Sequence, residues 1–174
     1  MNTFSKDNRR GPFYWMEQNQ PYLSVTNILS IIDKPALRYW FGQQVYYAML
    51  KNPHMNEKDA LAAPYQTSDT AKARGTTIHS IVEAYKHTQN YIQTIMPPYQ
   101  GYAQAFYKWT EDMRIVILKH EKTICSRKYK YAGTLDLLVM IGEEKDPFII
   151  DVKTGKDIYP EAFLQLSAYR QALS

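Results

Sequence analysis

The spacing of apolar residues changes character once along this chain, at Arg114. Before it, apolar positions recur at helical intervals. Ser24 is placed to cap a short helix from Val25 to Ile31. Pro35 opens a second, PALRYWFGQQVYYAMLKN, as a first-turn proline. Residues 52–66 contain Pro53 and Pro64 and read as a loop with room for one helical turn. A helix from Asp69 to His87 follows, with Ile78, Ile81, Val82 and Tyr85 on one stripe. Pro97 and Pro98 open another over about residues 98–113. The first residues are polar and expected to be flexible at their start. After Arg114 come three β-rich runs, RIVILKHEKTICS, KYAGTLDLLVMIG and PFIIDVK. Turn material separates them at Ser126–Lys130 and Gly142–Pro147. PEAFLQLSAYRQALS, opened by Pro160, returns to helical spacing. Helices, three strands and a final helix predict one mixed α/β domain, a small mixed β-sheet flanked by helices.

Composition narrows the class. At 174 residues, 45% hydrophobic and 22% charged, the chain is long and apolar enough for a full core and is not a disordered type. No run of 18 apolar residues predicts a membrane span. MNTFSKDNRRGPFYW lacks the apolar stretch of a secretory signal. A lone Cys125 allows no internal disulfide and no four-cysteine cluster, and makes a reducing, cytoplasmic setting the expectation. The net charge of +4 leans weakly toward polyanions. Fifteen tyrosines are either stacking surfaces for bases or amphipathic core and rim residues.

The chemistry sits in the last two β-rich runs. FIIDVKTGK places Asp151 and Lys153 on one face of a strand end and Ile150 and Val152 on the other. Desolvating such charges costs on the order of several kcal/mol each, so the pair is either an ion pair at a strand end or a site. GTLDLLV carries a second lone carboxylate, Asp136, and Gly133 before it signals a bulge or a close backbone approach. If the two strands pair as a hairpin, Asp136 and Asp151 lie side by side. Two such carboxylates need a cation between them, and oxygen ligands suit Mg²⁺ or Mn²⁺. A lysine beside them points to phosphodiester hydrolysis.

GTLDLLV, IIDVKTGK, QLSAY on the next helix and RGTTIHSIVEAY upstream together resemble the PD-(D/E)XK nuclease superfamily. LSVTNILSIIDKPALRYW is also similar to the start of such nucleases. The likeness is to the RecB-type exonuclease branch, which includes mitochondrial genome maintenance exonuclease and CRISPR adaptation nucleases. The cluster-forming cysteines of some relatives are missing. The resemblance implies a restriction-endonuclease-like α/β core over residues 67–174, following an N-terminal helical region, 1–66, in a single nuclease domain. It implies that Asp136, Asp151 and Lys153 are catalytic, and that His79, Asp136, Asp151 and the Val152 carbonyl hold Mg²⁺ or Mn²⁺. It implies that Gln165 and Tyr169 support the site and DNA. Arg74 is then either a phosphate clamp or a surface charge, and Glu83 either orients neighbours or solvates its helix.

The function so implied is a metal-dependent deoxyribonuclease, an exonuclease on single-stranded DNA ends of the kind used in phage recombination and repair. The alternatives are a structure-specific or nicking endonuclease of the same fold, or a non-catalytic nucleic-acid-binding module. The family core continues into a further strand, whereas this chain ends at Ser174 in the helix, so a missing segment or a protein partner is expected to complete the sheet. Lys122, Arg127, Lys128 and Lys130 around the first turn are either phosphate contacts or a solvated hairpin. Glu121 interrupts the first strand; its carboxylate either supports the site from behind the ligands or faces solvent, and solvent is the expectation. His54, His87 and His120 have no site-like spacing, and Cys125 has no activating neighbour.

Overall fold

A computed structural model describes residues 9–15, 20–85, 89–155 and 157–174. The expected flexible start, the helix end at His87, His87 itself and Lys156 at the end of FIIDVKTGK lie outside the described residues. The chain forms two compact units: Ile32–Thr77, and Met1–Ile31 together with Ile78–Ser174.

The larger unit is built on a six-stranded mixed sheet. It begins with three short strands, β1 (Arg9–Arg10), β2 (Phe13–Trp15) and β3 (Pro21–Ser24), joined antiparallel. These were not foreseen, because two to four residues are too few to show a period of two. Tyr14 and Tyr22 earn their burial by packing on Ala132. Ser24 stands at the start of helix α1 (Val25–Leu29), but its hydroxyl pairs with Thr26 Oγ1 at 2.7 Å and caps no backbone amide.

The smaller unit holds α2 (Pro35–Lys51) and the first turns of α3 (Glu57–Glu83). The loop expected over residues 52–66 is mostly helix. Asn56 Oδ1 accepts the Asp59 amide at 2.9 Å and Asn56 Nδ2 donates to Asp59 Oδ2, a reciprocal cap that starts α3 early. Pro64 is inside the helix and fully buried. Its lost amide bond is tolerated where alanines around it favour helix and its ring is removed from water. Phe41 and Tyr65 meet edge-on at 5.3 Å, tying α2 to α3.

From Ile78 onward α3 belongs to the larger unit, and Ile78, Ile81, Val82 and Tyr85 are buried as their spacing predicts. After α4 (Gln89–Gln93), Pro97 opens α5 (Pro97–Asp112), where Thr110 Oγ1 meets Tyr85 Oη at 2.8 Å. Then come β4 (Ile115–Ser126) and β5 (Tyr131–Ile141), a long antiparallel hairpin, and β6 (Phe148–Ile150), antiparallel to the other side of β5. β3 runs parallel to β5 at Leu23↔Tyr131, which makes the sheet mixed. Leu135, Leu137 and Val139 are fully buried in strict alternation on β5. Each contributes on the order of 1.5–3 kcal/mol of transfer free energy. Val82 closes over Ile115, Leu137 and Val139, with Ile150 and Val152 beside them. α6 (Pro160–Leu173) packs Tyr169 against Val25, Ile124 and Leu135. Among the described residues no helix is long and apolar enough to cross a membrane.

Candidate functional site

The register of β5 and β6 builds the site. Leu137 pairs with Ile150 and Leu138 with Ile149, so one step further sets Asp136 opposite Asp151, just past the end of β6. The ladder does not continue there. The Val152 amide turns to Asp136 and donates to Oδ2 at 2.7 Å. A carboxylate thus takes the place of a backbone acceptor and pins the segment that carries Asp151 and Lys153.

His79 projects from α3 to the same place, with Nδ1 3.4 Å from Asp136 Oδ1 and 3.9 Å from Glu121 Oε1. The hydrogen bond with Asp136 raises the imidazole above its ordinary pKa. Burial opposes this, and the charges of Asp136 and Glu121 and the nearby Val152 carbonyl add to it. The Asp151 side chain is only 5% exposed. Desolvation pushes its carboxyl upward, against the pull of Lys153; the charge of Asp136 adds to the rise and His79 opposes it. Gln165 Nε2 donates to Asp151 Oδ1 at 3.2 Å and to Tyr169 Oη at 3.0 Å, so α6 fixes one oxygen of the acid. Lys153 Nζ stands 2.5 Å from the other oxygen, Oδ2, yet that buried atom has no aligned hydrogen-bond donor. The contact supplies opposite charge without satisfying the lone pairs. Gly133 makes room for Tyr169: a Cβ there would lie 2.4 Å from the ring. Of the two roles open to this glycine, close approach is the one it serves.

Glu121 is the residue that sequence reasoning turned the wrong way. Its side chain is 15% exposed, and its carboxylate, the His79 imidazole and the Asp136 carboxylate offer ligand atoms all within 4.8 Å of one another. Its φ is +41°, rare for a residue with a side chain and costly by about 1–3 kcal/mol. A bulge between Ile117 and Lys119 precedes it, and the pairs His120↔Leu137 and Lys122↔Leu135 set it opposite Asp136. Glu121 lies in Lys119-His120-Glu121-Lys122, a run of polar residues, so it lacked the lone-acid-among-apolars mark that Asp136 carries.

Glu83 is exposed and, among the described residues, makes no ion pair with His79, which points instead to Asp136. Arg74 lies in the smaller unit, with its Nε buried and without a hydrogen-bond partner among the described residues.

Three acids against one lysine and one imidazole make a locally negative cluster. Oxygen donors with one imidazole are a donor set for Mg²⁺ or Mn²⁺. Ligands on opposite sides of such an ion are about 4.2 Å apart, close to the observed spread. No protein-family model matches the chain, and a search of curated proteins finds no match.

Proposed function

We propose that this protein is a metal-dependent deoxyribonuclease that hydrolyses phosphodiester bonds, working as an exonuclease on single-stranded DNA ends. The observation that carries the reading is the convergence of Asp136, Asp151 and His79 beside the Lys153 ammonium. His79, Glu121, Asp136 and Asp151 would hold a divalent cation, with the Val152 carbonyl beside the imidazole. When bound, that cation supplies an acidified water and offsets charge developing on the phosphate.

The chain's own groups do the rest. The Lys153 side chain is 42% exposed, so its ammonium can touch Asp151 and still meet an incoming phosphate oxygen. Gln165 and Tyr169 keep Asp151 from turning away. His79 must give up the proton it shares with Asp136 before its nitrogen can bind a cation.

The test is cleavage of an end-labelled single-stranded oligonucleotide with Mg²⁺ or Mn²⁺, against a chelator control. Lys153→Ala is expected to fold and bind while cleavage falls by a factor of about 10² or more. Cleavage unchanged by Lys153→Ala, or binding without metal-dependent cleavage in the wild type, would reject the reading. A closed circular substrate should be spared; if it is cut, the enzyme is an endonuclease.

A further inference from the structure

The β4–β5 turn, residues 127–130, reads Arg-Lys-Tyr-Lys, and all four are exposed. Among the described residues none of its three cations has an acidic partner. The turn is nevertheless firmly built. The Lys130 amide donates to Ser126 O at 2.8 Å, Lys130 takes a φ of +58°, and the Leu23 amide anchors Lys130 O at 3.2 Å. Tyr129 is 55% exposed and lies within 9° of parallel to Tyr131, with ring centres 6.3 Å apart. Lys128 stands over the Tyr129 ring at 5.0 Å. Tyr131 in turn donates to Ala168 O on α6, the helix whose Gln165 holds Asp151. One helix therefore braces both the turn and the site.

We propose that this turn is a second contact for single-stranded DNA, in which Arg127 and Lys128 meet phosphates and a base stacks on Tyr129. Lys130 is engaged with Tyr22, donating to its hydroxyl at 3.5 Å, which leaves Arg127 and Lys128, with no acidic partner among the described residues, beside a fixed, half-exposed ring; that suits a strand that offers both charges and flat faces. A purely acidic partner would use the cations and leave the ring idle. The turn ends at Lys130, six residues before Asp136, about 20 Å at strand rise. At 3.4 Å or more per nucleotide, a strand engaging both would span on the order of six nucleotides or fewer. The inference rests on the nuclease reading for its substrate, and its test separates the two.

Binding of a labelled oligothymidine of about twenty nucleotides is measured by anisotropy in chelator, where nothing is cut, across a salt series. Arg127→Ala with Lys128→Ala should flatten the slope of log K against log salt by about 1.4, two phosphates' worth. Tyr129→Leu should weaken binding about 5- to 150-fold, while Tyr129→Phe keeps wild-type affinity. The Tyr129→Leu loss should vanish on an abasic strand. Circular dichroism checks that each variant is folded. Equal affinity for Tyr129→Phe and Tyr129→Leu, or an unchanged slope, overturns the proposal, as does a wild type that does not bind. Wild-type binding with the expected variant losses but no cleavage in Mn²⁺ would sink the nuclease reading and leave this contact standing.

Discussion

At the scale of the residue, Glu121 concentrates the physics of the site. A left-handed backbone in mid-strand persists only where surroundings over-determine it, and here the carboxylate it delivers is the compensation. Two effects should separate. Glu121→Gly, free of Cβ strain, should melt about 2–4 °C above Glu121→Ala in chelator. Both should lose most of the thermal shift that Mn²⁺ gives the wild type. Differential scanning fluorimetry reads both; equal melting of the two variants would remove the strain argument. Asp136 and Asp151 were legible because each is a lone acid in a run that otherwise alternates or buries. Lys153 was legible from its place two residues beyond Asp151, on the same strand face. Glu121, between Lys119, His120 and Lys122, carries no such mark, and its direction depended on a feature that single residues do not reveal.

That feature belongs to the element. Before the bulge at Leu118 odd-numbered residues of β4 pair with odd ones of β5, as Ile117 with Val139, and after it even-numbered ones do, as Lys122 with Leu135, so the parity of β4 switches there. Alternation read straight through the strand therefore assigns the wrong side to everything beyond Leu118. α3 misled for a comparable reason. Pro64 is a strong breaker by itself, yet the Asn56–Asp59 cap and alanine-rich flanks outweigh it. The long runs of β5 and of α3 from Ile78 to Tyr85 were readable because their burial repeats over enough residues to show a period. α6 depends on Gly133 to bring Tyr169 against the strand. Gly133→Ala should push the ring aside, destabilise the protein by about 1–3 kcal/mol and loosen the Gln165 contact to Asp151. Urea unfolding measures the first effect and residual cleavage the second; wild-type values for both would contradict the packing described.

At the scale of the molecule, four elements and the segment after β6 lend side chains to one acidic cluster, which links its stability to pH. His79 is held above its ordinary value, chiefly by Asp136, so its contribution is full below the unfolded imidazole pKa and is lost as pH rises through the raised folded value. Asp151 is also raised, chiefly by desolvation, and its loss on deprotonation has the same sign. Metal-free protein should therefore melt lower by a few °C as pH goes from about 6 to about 8. On the proposed function Mn²⁺ would replace the shared proton, so its stabilising effect should grow over the same interval. Melting curves with chelator and with Mn²⁺ at both ends of the range check this. His79→Gln should flatten the chelator curve; a wild type that melts higher at about pH 8 without metal would reverse the sign.

The backbone bond that would have continued β6 is made by Asp136 instead. Anchorage of this segment and the contact to His79 therefore share a single oxygen pair. A pull on that acid is felt at the peptide joining Asp151 to Val152, one residue from the ammonium. The two halves of the cluster are yoked, and neither can be retuned by evolution or by design without moving its counterpart.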